Sequence, residues 1–254
     1  MSTIDDISYG RQFSGWYDRI FPRDETARQT ARRLAELHPA PGAGSLELGV
    51  GTGRIAIPLA GLAGPVTGVD SSPEMLAVLA REAHSAGAAV TGVLGDIRRP
   101  TGDDTYGLVY CVCATLSMLL TAEEQRAAVE HAATRLAPGG RLVIETHNPD
   151  AVADLHDGQR HTSYFVPYPE PGTGLQTYST LVADVGAWYV SHIWHERDGT
   201  TRVGTETSRL TSPDEVDAYA TGAGLSPADR WADWAGTSWD ARSALFVSVY
   251  ERPA

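Results

Sequence analysis

The chain is poor in cysteine, in cationic runs and in long apolar stretches, and each shortage closes off a class of protein. Two cysteines among 254 residues, Cys111 and Cys113, rule out a disulfide-built scaffold. They share one apolar run that reads as a strand, so they are expected to be small hydrophobes within the core, neither bonded to each other nor ligating a metal. No Arg-rich run concentrates positive charge against a formal net charge of −12. A phosphate backbone would be repelled, and nucleic acid is not an expected partner. The longest apolar runs, such as 56–63, fall far short of the ~20 residues that span a bilayer, so no membrane association is expected. Residues 1–10 are polar, carry two aspartates and lack the basic start and apolar centre of a signal peptide; the expected address is cytoplasmic. What remains is ordinary globular composition, 42% hydrophobic and 20% charged, enough for one large α/β domain or one domain with a lid.

Short β-branched apolar runs at 45–50, 66–70, 89–94, 108–113 and 141–146 alternate with stretches at 55–62, 73–85 and 122–136. The apolar spacing and the Ala, Glu and Arg content of the latter suit helices. Such alternation predicts an α/β, Rossmann-like, doubly wound and mostly parallel seven-stranded sheet. Pro138-Gly139-Gly140 marks a sharp break before the last run. Residues 1–40 read as an N-terminal helical cap, interrupted at Pro22 and laid across the carboxyl edge of the sheet. After Thr146 the pattern changes. Runs at 162–168, 176–185, 187–196 and 201–210 read as antiparallel strands separated by Pro/Gly-rich or Asp-Gly turns. Residues 150–210 are therefore expected to form an inserted antiparallel β lid. A helix at 213–221 and a strand at 244–250 return the chain to the first sheet, so 41–149 and 211–254 read as one domain. Within the lid, Tyr164, Tyr178, Trp188 and Trp194 are assigned to the wall of an acceptor pocket. His192 joins them, with His195 sent to the opposite face by the odd spacing. Trp231, Trp234 and Trp239 read as packing.

The strongest local signal is Leu46-Glu47-Leu48-Gly49-Val50-Gly51-Thr52-Gly53-Arg54, a strand running into a glycine-rich turn and then a helix. Glycines there let the backbone approach a nucleotide-like ligand at the carboxyl end of the sheet. A dinucleotide-binding loop would have its third glycine where Arg54 stands, and would gain little from Glu47 beside phosphates. A ligand with a positive amino group, a sulfonium and no phosphate is favoured instead. Asp70 closes the second run 19 residues after Gly51, placed to accept from both ribose hydroxyls; its other reading is the cap of the helix starting at Pro73. Asp96 follows the third run, placed to accept from an exocyclic amine while the Ile97 backbone N–H meets a ring nitrogen. An ordinary turn aspartate is the alternative.

In order and spacing, 47–53, Asp70, Gly95-Asp96 and Leu136-Ala137-Pro138-Gly139-Gly140 resemble the motifs of class I S-adenosylmethionine-dependent methyltransferases. The resemblance covers roughly 45–145. It implies that Gly49, Gly51 and Gly53 pass close to the methionine portion and ribose, that Asp70 binds the ribose, and that Asp96 and Ile97 bind the adenine, with Met75 packed on its ring. Tyr17, Glu47, Arg54, Ser71 and Cys113 are assigned to the same cofactor site. Tyr9, followed eight residues later by Tyr17-Asp18, looks like the amino-terminal helix of small-molecule N-methyltransferases of antibiotic biosynthesis, amino-sugar N,N-dimethyltransferases among them. In that group such a tyrosine approaches the transferable methyl, and Tyr9 is accordingly assigned a catalytic role. The resemblance implies N-methylation of a small-molecule amine in secondary metabolism. The other readings are O- or C-methylation of a ring-bearing acceptor, an NAD(P)-dependent oxidoreductase, and a non-catalytic S-adenosylmethionine-binding protein. A general base, where the acceptor needs one, is expected at His147, with Glu145 and Asn148 placed to orient it. No histidine or acidic cluster has metal-ligand spacing, so no metal is expected. The expected partner is a small-molecule substrate, and the chain is expected to be a monomer or homodimer.

Overall fold

The computed structural model describes residues 9–99 and 102–254. Two short helices, α1 (Tyr9–Phe13) and α2 (Tyr17–Ile20), precede α3 (Glu25–Leu37). Pro22 stands in the break, where its missing N–H and fixed φ prevent one continuous helix. Asp24 restarts the helix as N-cap, accepting from the Ala27 N–H. Next come β1 (Ser45–Leu48), α4 (Ala56–Ala63), β2 (Val66–Asp70), α5 (Pro73–Ala86), β3 (Val90–Leu94) and β4 (Tyr106–Cys111). They are followed by α6 (Ala122–Thr134), β5 (Leu136–His147) and α7 (Pro149–His156). Four strands, β6 (His161–Pro167), β7 (Gly174–Val182), β8 (Ala187–His195) and β9 (Thr201–Arg209), lead to α8 (Pro213–Gly222), β10 (Ser226–Trp231) and β11 (Leu245–Glu251).

The first sheet has seven strands in the order β10-β11-β5-β4-β1-β2-β3. Its pairs are parallel from β5 to β3, while β11 runs antiparallel to both β5 and β10. The chain starts at the centre, winds outward to β3 and returns to place β4 on the other side of β1. Loops leaving β1 and β4 therefore diverge, which is the switch point where doubly wound sheets bind ligands.

Alternate residues of the buried strands sort into two cores, as a period of two requires. Val109, Cys111, Leu142, Ile144 and Phe246 pack with α6 and α8 on one face. Leu108, Tyr110, Val143 and Val247 pack with α3 and α4 on the other. Strands covered on both faces need these near-continuous apolar runs. The second sheet is antiparallel in the order β6-β7-β8-β9, separate from the first, so the expected α/β architecture with an added antiparallel sheet is the one the chain adopts.

Four details differ from the reading of the sequence. Strand β4 stops at Cys111, and Cys113 and Ala114 take left-handed φ values of 56° and 58°; Cys113 thus leaves the strand and the core. Strand β5 begins before Pro138-Gly139-Gly140, absorbing it with a register shift against β4. Strand β10 has no counterpart among the apolar runs, because Pro227, Asp229 and Arg230 interrupt its alternation; an edge position tolerates all three. Finally, α3 packs on the face of the sheet through Ala27, Ala31 and Leu34, leaving only α1 and α2 at the carboxyl edge.

These two helices lie between the sheets. Phe13 and Trp16 form a third core with Met75 of α5 and Trp194 of β8. Gly204 of β9 makes room for the Phe13 ring, since a Cβ there would stand 2.6 Å from it. Arg19 lies over the Trp194 ring, 4.4 Å from its centroid, and pairs with Glu196 at 2.6 Å. On the other side Thr52 donates its hydroxyl to Asp18 at 2.7 Å, and Arg23 donates to the Thr52 carbonyl at 2.8 Å. Among the described residues no helix is long and apolar enough to cross a membrane.

Phe13 is 0% exposed. Phe13→Ala is expected to lower stability by about 3–5 kcal/mol in urea unfolding, as for other buried Phe truncations. A loss within a few tenths of a kcal/mol of zero would show that α1 adds no packing.

Candidate functional site

At the carboxyl ends of β1, β2 and β4 lies a cavity of about 360 Å³, within the range of small-ligand sites. Its floor is the turn after β1. Gly51 has φ 53°, and a Cβ added there would meet no protein atom within 4 Å, so it would project into the ligand's space. Gly49 lines the same floor, but a Cβ on it would strike Thr115 at 2.3 Å. Gly53 does not line the cavity: it packs against Leu79 and Ile57. Its assigned cofactor contact is replaced by close packing of the turn against the neighbouring helices.

The side of the turn is held by Asp70. Its Oδ2 accepts from the Gly51 N–H at 2.7 Å and its Oδ1 from the Ser72 N–H at 2.9 Å. Capping of α5 falls to Ser72, which accepts from the Met75 N–H. Asp70 lines the cavity beside Ser71 and Met75.

One end of the cavity is nearly dry. Glu47 accepts from the Tyr110 hydroxyl at 2.9 Å, and burial pushes its carboxyl up to about 8 against the opposing pull of Tyr110 and Arg54. Arg54 approaches Cys113 Sγ at 2.6 Å. Burial works against the guanidinium charge, but Cys113, Tyr17, Glu145 and Glu47 outweigh it and leave the group above its ordinary value. Cys113 lines the cavity, and its thiol is pushed up to about 12 by burial and then by Glu145. Glu145 accepts from the Cys113 N–H and from Trp234 Nε1, each at 3.1 Å, and burial raises its carboxyl.

At the other end stand Gly95, Asp96, Ile97 and Arg98, with Met118, Leu119 and Leu120 as apolar wall. Arg98 grips the Asp96 carboxylate through Nε at 2.9 Å and Nη2 at 2.6 Å and reaches Glu124 at 2.5 Å. Burial would raise the Asp96 carboxyl, but these hydrogen bonds win and hold it below its usual value. Above the cavity Tyr9, Gly10 and Tyr17 form the roof, the two tyrosine rings 6.1 Å apart and edge to face.

A model described as a methyltransferase domain matches residues 46–140. The CcbJ methyltransferase of Streptomyces caelestis is 33% identical and superposes over 98% of this chain and 100% of its own, with a TM-score of 0.88. The chain belongs to the S-adenosylmethionine-dependent methyltransferases. The cypemycin N-terminal methyltransferase of a Streptomyces species is 28% identical over 215 residues, 84% of this chain and 85% of that relative. A putative methyltransferase of Geobacillus sp. (strain WCH70) is 27% identical over 139 residues, and this chain spans 56% of its length. S-adenosylmethionine is the donor of this methyltransferase, and the cavity suits it: carboxyl groups of Glu47, Asp70 and Asp96 succeed one another along its length, with open space over Gly51.

The residues assigned to the acceptor divide. The inner face of the lid carries Trp188, His192 and Trp194, alternating along β8. His192 Nε2 lies 2.9 Å from Glu206 of β9, and His195, on the opposite face, meets Phe165. His147 packs edge-on against Trp188, centroids 4.9 Å apart. Burial pushes its imidazole below the ordinary value, with Glu206 pulling the other way. Glu145 and Asn148 do not orient it: Glu145 is bonded as above, and Asn148 donates to the Ala241 and Ser243 carbonyls. Trp194 is buried beneath Arg19 and Tyr168, so it is packing for the cap instead of an acceptor wall. Tyr178 points to the outer face, accepting from Gln176, because β7 buries the alternate residues Thr177 and Ser179. Tyr164 has inner-face register on the edge strand and is 53% exposed. Glu206 is absent from the sequence reading. The signal for it was the Asp198-Gly199 turn, whose register sets Glu206 opposite Val190 on the inner face.

Asp70→Ala is expected to weaken S-adenosylhomocysteine binding by about 1–3 kcal/mol in calorimetry, the scale of lost buried hydrogen bonds. Glu47 carries a proton below about pH 8, and a ligand ammonium favours its ionised form. Affinity for S-adenosylhomocysteine is thus expected to rise between pH 6 and 8 with release of about one proton, at most about tenfold per pH unit. Calorimetry in buffers of different ionisation enthalpy would read zero protons if Glu47 is not the group engaged.

Proposed function

We propose that this methyltransferase transfers the methyl group of S-adenosylmethionine to an amine nitrogen of a small molecule in secondary metabolism. In this reading Glu47 holds the amino group of the donor, the backbone at Gly49 and Gly51 lies along its methionine portion, and Asp70 takes the ribose hydroxyls. Asp96 and Ile97 receive the adenine, with Ser71 and Met75 packed beside it. The donor supplies a methyl already activated on a sulfonium. The protein's own task is alignment and exclusion of water, worth roughly 7–11 kcal/mol of barrier when reacting atoms are held in line.

The observation that carries the amine reading is the make-up of the roof, where two tyrosines, Tyr9 and Tyr17, stand over the cavity. Burial raises both the Tyr9 and Tyr17 hydroxyls well above the ordinary tyrosine value, and the charge of Glu206 adds to it. Both remain neutral hydroxyls that orient by hydrogen bonding and do not remove protons. A phenol or alcohol acceptor needs a base strong enough to take its proton; an amine needs only a free lone pair at the moment of transfer. The likeness to the cypemycin N-terminal methyltransferase supports a nitrogen acceptor from secondary metabolism.

S-adenosylhomocysteine is expected to raise the melting temperature, and NAD to leave it unchanged. Methyl transfer from labelled donor is then measured across matched amines, their N-acetyl derivatives and phenols, with label expected in the amines alone; preferential labelling of phenols would sink the amine reading. Tyr9→Phe is expected to reduce turnover on the order of tenfold or more while S-adenosylhomocysteine affinity is retained, and unchanged turnover would remove Tyr9 from the mechanism.

A further inference from the structure

We propose that Glu206, held by His192, is the acceptor-side anchor: the carboxylate that seats the acceptor as an ammonium ion and takes the proton it must lose before methyl transfer. The proposal rests on the amine reading above and assigns the recognition of that amine to a single side chain.

Glu206 sits on the inner face of β9, opposite Val190 and beside His192 across the strand pair. The His192 side chain is nine-tenths buried, between the rings of Phe13 and Phe21 at 6.0 and 6.1 Å. Its Nδ1 is buried with no hydrogen-bond partner among the described residues, so the proton belongs on Nε2, which donates to Glu206 Oε1 at 2.9 Å. That bond orients the carboxylate, while 24% of the Glu206 side chain remains exposed. Among the described residues, the titratable groups near Glu206 include His192 of β8 and Tyr9 of α1, Tyr17 of α2 and His147 of β5, the last three shifted by its charge. Tyr9 and Tyr17 are also the roof of the donor cavity. Phe13, which packs against His192, also meets the Tyr9 ring at 4.5 Å, so Glu206 stands on the lid side of the roof, with Trp188 on the same face of the neighbouring strand. A partly desolvated carboxylate of this kind is best satisfied by a positive partner.

The step balances. The acceptor ammonium gives one proton to Glu206, and the freed nitrogen lone pair forms the bond to the methyl carbon. The carbon–sulfur bond breaks with its electron pair left on sulfur, producing a thioether and a methylated ammonium. The proton on Glu206 passes to water as that product leaves.

Glu206→Gln keeps the side-chain shape and removes the charge. It is expected to raise KM for an amine acceptor at least tenfold at pH 7 and to move the acid limb of the kcat/KM profile to higher pH, with S-adenosylhomocysteine affinity unchanged and partial recovery in Glu206→Asp. A readout independent of turnover uses the S-adenosylhomocysteine complex. Imidazole nitrogen signals of His192 are followed by NMR during titration with pyrrolidine and with N-acetylpyrrolidine. A response to pyrrolidine alone, lost in Glu206→Gln, is the expected result. Equal responses to both, or none to pyrrolidine, overturn the anchor. Amine methylation with unchanged KM in Glu206→Gln overturns the anchor and leaves the amine reading standing, whereas methylation of phenols with refusal of amines overturns both.

Discussion

A carboxyl group buried at the end of the central strand sets the terms for everything around it. Glu47 has a tyrosine hydroxyl for company and a guanidinium nearby, and these are not enough to keep it ionised at neutral pH against the loss of water. A cation entering the cavity would favour the ionised form of that carboxyl. In the proposed reading, the amino group of the donor is that cation. The same dryness extends to Glu145 and Cys113. The Glu145 carboxyl ties the left-handed backbone at Cys113 to Trp234, so the wall of the donor site and the loop before β11 are braced by a single acceptor oxygen.

The amino-terminal helices convert this pocket into a two-sided site. On one side they are bonded to the glycine turn through Asp18 and Thr52; on the other they are packed into the lid through Phe13, Trp16 and Arg19. Cavity floor, aromatic roof and lid form one stack, with Tyr9 and Tyr17 between the cavity and the lid. Any shift of the lid is transmitted to the roof by direct contact, because Phe13 is seated on the backbone of Gly204 with no space between them.

The carboxylates of the cavity were legible in the sequence because each lies at or near the carboxyl end of a strand. Glu47, Asp70 and Asp96 stand in or just after runs whose apolar character announces them, and a doubly wound sheet brings strand ends together without further information. The acceptor side was not legible in the same way. Whether Trp188 or Tyr178 faces inward depends on which strand parity the cap covers, and that is decided by the docking of Phe13 and Trp16, far away in the chain. Glu206 was hidden by the same dependence, since a glutamate between two threonines in an exposed-looking strand carries no local sign of facing a buried histidine. Cys113 was among the residues assigned to the cofactor site, but its departure from the core was not legible: two consecutive residues in left-handed conformation end β4 earlier than its hydrophobicity suggests. Strand β10 was masked by the proline and charges that its edge position permits.

The pleat of the lid separates what holds it together from what it presents. Residues of one parity are committed to the cap, and those of the other parity look outward, while the donor contacts lie on a different sheet altogether. Under the proposed function, exchanges at individual inner-face positions away from Phe13 and Arg19, such as Tyr164 and Trp188, would retune which molecule is accepted and leave the donor cavity untouched. A scaffold divided in this way is open to retargeting one side chain at a time.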